Sequence, residues 1–79
     1  MDLPTAVTRI NEILYDGYAI EGPEVLLFGT ECGRPISYAA DISDWPRLKI
    51  RLAIERLAGP PIKLQIDNET NRIIDILEK

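Results

Sequence analysis

The sequence predicts an α+β fold, a small and mainly antiparallel sheet with helices on one face, in the order αβββαβα. Three observations lead to this prediction. Apolar residues recur at helical spacing in residues 3–14 and 45–57, two β-forming runs flank a loop that contains glycine, and residues 62–67 alternate between apolar and polar side chains. With 79 residues, the chain has room for a single domain, residues 1–79.

The first element is predicted to be a helix that ends near Asp16. Pro4 is tolerated in a first helical turn, and Asp16 followed by Gly17 supplies a stop. At 100° per residue, the apolar side chains of this segment fall in one sector. These are Leu3, Ala6, Val7, Ile10, Ile13 and Leu14.

The next segment is predicted to form a β-hairpin. Residues 24–28 and 34–39 favour strands, and the loop between them carries two glycines. The pair Gly22-Pro23 marks a turn before the first of these strands, and residues 18–21 are a candidate further strand.

A second helix is predicted over residues 44–58. Ser43 is the expected N-cap, Asp44 suits the positive first turn, and Gly59 followed by two prolines is a strong stop. The helical projection has two apolar stripes on roughly opposite sides. One is formed by Ile50, Ala53, Ile54 and Leu57, and the other by Trp45, Leu48 and Leu52.

The C-terminal part is predicted to be a strand followed by a helix. Residues 62–67 alternate as a half-buried strand does. Residues 68–79 fit a helix, with their isoleucines in one sector, and the alternative is the return strand of a hairpin. The helix is favoured because Ile73 and Ile74 would face opposite sides of a regular strand.

Composition removes the usual stabilising cross-links and most catalytic chemistries. The chain has one cysteine, Cys32, and no histidine, so an intrachain disulfide is impossible and a structural zinc site is not expected. The absence of histidine also excludes Ser-His-Asp and Cys-His nucleophilic sites. We expect no catalytic residue, no metal and no cofactor, and we expect good packing or a partner chain to supply stability.

The remaining candidates for chemistry have simpler structural interpretations. Cys32 lies in the predicted hairpin loop beside Glu31, whose charge opposes formation of a thiolate. The glycines of that loop lack the Gly-Lys-Ser/Thr sequence of a phosphate-binding loop. Two carboxylate pairs flank turns, where acids usually cap the backbone or face solvent. They are Glu21 with Glu24 and Asp41 with Asp44.

Charge is distributed unevenly along the chain. Residues 1–44 contain eight acids and two arginines, a net charge of −6, whereas residues 45–79 contain seven bases and five acids, a net charge of +2; together they give the −4 of the whole chain. The bases of the second helix fall on two flanks, and the acidic remainder repels phosphate. Direct binding of nucleic acid is therefore not expected.

These observations predict a non-catalytic protein-interaction module, such as a small regulator, adaptor or inhibitor. One alternative is that the helix is sandwiched, with Ile50, Ile54 and Leu57 on the sheet and the Trp45, Leu48 and Leu52 stripe under the first or last helix. The other is that the Trp45 stripe is exposed as a partner surface with Arg47 and Arg51, because tryptophan rimmed by arginine resembles a binding hot spot. If the Trp45 stripe is exposed, we expect it to bind a protein partner of unknown identity and expect the chain to form a homo-oligomer.

Two other functions stay open at this point. One is a small enzyme or ligand-binding subunit that uses carboxylates or Cys32, and the other is a nucleic-acid-associated factor that uses the basic helix. The N-terminus resembles no signal peptide and a lone cysteine suits a reducing compartment, so a cytoplasmic location is expected and no membrane partner.

Overall fold

The computed structural model describes residues 7–78. These residues form five strands and one α-helix. In chain order the elements are β1 (Thr8–Glu21), β2 (Glu24–Glu31), β3 (Arg34–Asp41), a single 3-10 turn (Ile42–Asp44), α1 (Trp45–Ala58), β4 (Ile62–Asp67) and β5 (Ile73–Leu77).

The predicted N-terminal helix is wrong where the structure describes it, because residues 8–21 form one long strand. Six of its fourteen residues are β-branched or aromatic, and these residue types favour strands over helices. Ile13 lies opposite buried Ile62 on the inner face of the sheet, whereas Ile10 and Leu14 point to the outer face and are exposed. Although these three residues have helical spacing in the sequence, they do not lie on one face of the structure. The predicted helical residues 3–6 lie outside the described part of the chain.

Both two-residue turns of the β1–β2–β3 meander use positive φ angles. Gly22 begins the first turn with φ 57°, and Cys32 and Gly33 form the second turn with φ 52° and 80°. In the second turn both central residues have positive φ, which is the type I′ geometry that matches the twist of a hairpin. The predicted hairpin is thus confirmed, with strands that are longer and a loop that is shorter than the sequence indicated.

Helix α1 is confirmed, and its N-terminus differs from the prediction. The N-cap residue is Asp44 rather than Ser43, and it makes no capping hydrogen bond with its side chain. Instead, Asp41 caps the preceding 3-10 turn by accepting a hydrogen bond from the backbone N–H of Ser43, at 2.9 Å. The helix ends at Gly59, as the Gly-Pro-Pro sequence predicted.

The tail forms strand β5, so the prediction of a C-terminal helix is wrong and the hairpin alternative is correct. Strand β4 has the predicted bounds, and β5 pairs with it in antiparallel register. A bulge at Ile74 places two residues of β5 opposite one residue of β4. Ile73 and Ile76 consequently share the buried face although they are three residues apart, a spacing that imitates a helix.

The strand order is β3-β2-β1-β4-β5, and all neighbouring pairs are antiparallel. The sheet curls, because an isolated bridge joins Ala39 of β3 to Arg72 just before β5. Arg72 also forms an ion pair with Glu24 at 2.6 Å. The two edges of the sheet therefore meet at one end, as in a partly open barrel.

The predicted fold class is wrong in its number of helices. Within residues 7–78 one helix, not three, covers the inner face of a five-stranded sheet, in the order βββαββ. The core lies between this helix and the sheet, and it includes Val25, Leu27, Leu64, Ile66 and Ile76, all almost completely buried. Helix α1 lies in the connection from β3 to β4, with one side packed on the sheet and the other side exposed to solvent.

Candidate functional site

The face of α1 that packs on the sheet carries the stripe predicted to bind a partner. Leu48 is fully buried, and Leu52 and Trp45 are 4% and 7% exposed. These three side chains belong to the core cluster together with residues of every neighbouring strand. The expectation of an exposed Trp45 stripe is therefore wrong, because the sheet occupies the position that a partner would need.

The opposite stripe of α1, expected to lie in the core, faces solvent. Ile50 is 63% exposed, Ile54 49% and Leu57 90%. Their spacing of four and three residues puts them on one side of the helix. We call Ile50, Ile54 and Leu57 the helix patch. Large apolar side chains grouped in this way on a small domain indicate a contact surface more often than isolated ones do.

Arg47 and Arg51, the other predicted partner-binding residues, contact strand β5. Arg47 forms an ion pair with Asp75 at 2.8 Å and donates a second hydrogen bond, also at 2.8 Å, to the carbonyl oxygen of Ile74. Arg51 donates from Nε to the carbonyl oxygen of Ile76 at 3.3 Å. Because β5 is the last strand of the sheet, these two arginines bond backbone oxygens on an edge that would otherwise be open.

The helix is the basic part of an acidic protein. Residues 45–58 contain four bases and one acid, a net charge of +3, while the other residues contain five bases and twelve acids, a net charge of −7; the two sum to −4. The single acid, Glu55, is buried. The solvent-facing side of α1 therefore presents positive charge on both sides of the helix patch, with Lys49 and Arg56 on one side.

A groove runs between α1 and the second half of β1. The rings of Tyr18 and Trp45 are in contact, with centroids 4.8 Å apart and planes tilted by 43°. The guanidinium carbon of Arg56 lies 5.1 Å from the centroid of the Tyr15 ring. Tyr15 and Tyr18 reach the same face because a bulge at Asp16 shifts the register of β1 against β2. We call Tyr15, Tyr18, Trp45, Lys49 and Arg56 the aromatic groove.

Two adjoining cavities occupy the groove. One, of about 200 Å³, is lined by all five groove residues together with Leu52 and Ala53. The other, of about 190 Å³, is lined by Tyr15, Arg56, Pro60 and Ile62. Tyr15 and Arg56 line both, so the two cavities lie side by side along the helix.

Partial burial raises the pKa of the Tyr15 hydroxyl above its ordinary value of 10.0. The positive charge of Arg56 acts in the opposite direction, and Tyr18 adds a small further increase. Burial dominates because removing a phenolate from water is costly. Tyr15 is therefore a neutral hydrogen-bonding group of the groove and does not supply a base near neutral pH.

The other candidates from the sequence are dispersed. Cys32 is exposed in the β2–β3 turn, on a different element from the groove. Glu21 and Glu24 face each other across the β1–β2 turn, and Glu24 is held by Arg72. Asp41 caps the 3-10 turn that precedes α1. Glu24 and Asp41 thus have structural partners, and none of these carboxylates lies in the turn of Cys32.

A polar network joins β1, β2 and β3 on the inner side of the sheet. Asn11 donates from Nδ2 to Glu31 at 3.0 Å and to the Tyr38 hydroxyl at 2.6 Å, and that hydroxyl donates to Glu31 at 2.7 Å. Burial is the main cause that raises the pKa of Tyr38, and its bond to the Glu31 carboxylate adds to it. Because each of these three side chains forms hydrogen bonds with the other two, the network links the three strands and is explained without a ligand.

Neither a metal centre nor a membrane span is present in residues 7–78. No three His, Cys, Asp or Glu side chains of this part of the chain lie close enough together to hold a metal ion. None of its helices has the length and apolar character needed to cross a bilayer.

Sequence reasoning missed the groove and reversed the two stripes of α1. The β-branched and aromatic residues of segment 8–20 are the signal that could have assigned Tyr15 and Tyr18 to a strand. No comparable signal distinguishes the stripes, because each consists of large apolar side chains at helical spacing. Which stripe is buried depends on where β4 and β5 lie.

Comparison with known proteins adds no functional assignment. The chain matches no protein-family model, and no match was found among curated proteins or solved structures. The helix patch and the groove are therefore the features of this protein from which a function can be inferred.

Proposed function

We propose that this protein is a non-catalytic protein-interaction module that binds an acidic amphipathic segment of a partner protein on the outer side of α1. The observation that carries this proposal is the helix patch, three large apolar side chains exposed together on the basic helix of an acidic domain. The proposal moves the contact surface from the predicted Trp45 stripe to Ile50, Ile54 and Leu57.

The apolar part of the surface supports a helix-binding mode. Residues spaced by four and three along α1 form a ridge that a second amphipathic helix can pack beside. Leu57 contributes most, because its side chain is almost wholly accessible and lies near the end of the helix. Removing such side chains from water provides the main attraction in this kind of contact.

The charges around the patch determine the chemistry of the partner. Lys49 and Arg56 border the patch on one side, and Arg47 and Arg51 keep their positive charge on the other while bonding β5. Carboxylates beside the apolar residues of the partner would find complementary charge on both sides. A basic segment would meet repulsion there.

A symmetric contact between two copies of α1 is disfavoured by the same charges. Facing helix patches would bring the bases of both helices together, and like charges across a contact cost free energy. For this reason we propose that the partner is a different protein with an acidic surface. Homodimerisation through this face would appear instead as cross-links from Lys49 to a second copy of the chain.

Affinity capture combined with zero-length cross-linking tests the proposal. The full chain is used as bait in extract from its source cells, and a carbodiimide joins the amine of Lys49 to carboxylates in contact with it. We expect a captured protein to be cross-linked from Lys49 to an Asp or Glu within an apolar-acidic segment. Leu57→Glu should reduce its capture at least tenfold, because a carboxylate replaces the most exposed apolar side chain.

Ile10→Glu is the matched control, since Ile10 is as exposed as Ile50 but lies on the outer face of the sheet. It should leave capture unchanged. Equal capture by wild type and Leu57→Glu, or cross-links from Lys49 only to a second copy of the chain, would overturn the proposal. Loss of the captured material after nuclease treatment, or recovery only with membranes, would also contradict it.

A cytoplasmic location is part of this proposal. It is supported by the exposed thiol of Cys32, the only cysteine of the chain, which a reducing compartment would keep unmodified.

A further inference from the structure

The aromatic groove has the features of a small-molecule site beside the helix patch, with Lys49 and Arg56 between the two. Its two adjoining cavities of about 190 and 200 Å³ share Tyr15 and Arg56. Each is smaller than the roughly 300–1,000 Å³ of pockets that bind drug-sized ligands, so each suits a ligand of one ring.

The groove combines aromatic surface with positive charge. The partly exposed rings of Tyr15 and Tyr18 provide apolar surface against which a planar group can pack, and the buried ring of Trp45 contacts that of Tyr18. Lys49 and Arg56 stand on the helix side of the same depression. The ion pairs of Arg47 with Asp75 and of Arg72 with Glu24 include neither of these two cations.

Two neighbouring cations close to low-dielectric walls produce a local positive potential that attracts anions. This holds although the protein as a whole is acidic. The nearest acid along β1 is Asp16, which is exposed at the bulge beside Tyr15. It does not line either cavity.

We propose that the aromatic groove binds a small aromatic carboxylate, whose ring packs against the half-exposed ring of Tyr18 and whose carboxylate is bound by Arg56 and Lys49. The planar guanidinium of Arg56 suits a carboxylate because two of its N–H groups can bond both oxygens. Its position over the Tyr15 ring holds the guanidinium at the side of the groove. The ligand needs both features, since the ring and the anion are recognised by different residues.

Titration with benzoate tests this inference, because Trp45 is the only tryptophan of the chain and reports on the groove directly. We expect saturable changes in the Trp45 fluorescence and in the NMR signal of its indole N–H. Benzamide, which keeps the ring and lacks the charge, should bind at least tenfold more weakly. Cyclohexanecarboxylate, which keeps the charge and lacks the aromatic ring, should also bind more weakly.

Variants separate the groove from the helix patch. Arg56→Gln should weaken benzoate binding at least tenfold, and Lys49→Gln provides a second removal of charge if the first variant does not fold. Ile54→Gln, on the exposed side of the same helix, should leave benzoate binding unchanged.

Absence of a change at Trp45, equal binding of benzoate and benzamide, or unchanged binding by both charge variants would overturn the inference. None of these results would affect the proposed protein-docking function, because that function is tested through Leu57 and its cross-linked partner.

Discussion

At the scale of single residues, Gly29 is required by a close approach of two strands. It is buried in β2 opposite Tyr15. A Cβ atom at this position would lie 2.5 Å from the carbonyl oxygen of Leu14 and 3.1 Å from Cδ1 of Ile13. The nearest obstacle is backbone, which cannot rotate away as a side chain can, so the glycine is needed for space and not for an unusual φ angle.

Gly29→Ala is therefore expected to lower the free energy of unfolding by about 1–3 kcal/mol, as overpacking of a core does. Gly17→Ala is the matched control, because a Cβ at Gly17 meets no atom within 4 Å. Its effect should stay within about 0.5 kcal/mol. Urea denaturation of both variants measures the difference, and equal stability of the two would contradict the steric argument.

At the scale of elements, α1 protects the edge of the sheet as well as filling the core. Its inner stripe packs on the sheet, while Arg47 and Arg51 hold the carbonyl groups of Ile74 and Ile76. An open strand edge is a template for unwanted pairing with other chains. The two arginines, which the sequence suggested as partner-binding residues, are better explained as cover for β5.

The double variant Arg47→Ala and Arg51→Ala should therefore expose β5 selectively. We expect faster hydrogen exchange of the β5 amides, with little change in β2 and β3, and a loss of about 1 kcal/mol in the free energy of unfolding. This small value allows for the weak contribution of an exposed ion pair. Lys49→Ala with Arg56→Ala, from the other side of the same helix, should leave β5 exchange unchanged; an equal acceleration by both pairs would argue against edge protection.

At the scale of the whole molecule, stability should be highest between mildly acidic and mildly alkaline pH. The pKa of Asp41 is lowered from its ordinary value of 3.8, chiefly by the backbone N–H of Ser43. The pKa of Asp67 is lowered from the same value by the backbone N–H groups of Thr70 and Glu69. In contrast, burial raises the pKa of Tyr15 and of Tyr38 above 10.0.

The sign of each effect follows from proton linkage. The stability contributed by the two aspartates is present above their unfolded pKa of 3.8 and is lost as the pH falls below it. That contributed by the two tyrosines is present below pH 10.0 and is lost as the pH rises through their folded pKa. Urea midpoints measured from pH 2 to 11 should decline at both ends.

Two variants identify the groups that cause the loss of stability at acidic and at alkaline pH. Asp67→Asn should flatten the acidic decline and Tyr38→Phe the alkaline one. If the profiles of these variants run parallel to that of the wild type, other groups control the pH dependence.

The sequence by itself determined the elements whose signals are local. Helix α1 is bounded by a capping segment and by Gly59 with its prolines, β4 alternates strictly, and the hairpin turns carry glycine. In each case the residues that specify the conformation lie within the element or beside it.

Only the tertiary structure decided the conformation of β5 and the orientation of α1. A bulge at Ile74 gives Ile73 and Ile76 one face, so a strand imitates helical spacing. The two stripes of α1 are equivalent in sequence, and the sheet buries Trp45, Leu48 and Leu52. Burial depends on contacts between distant parts of the chain, and this is why the helix patch became visible only in the folded protein.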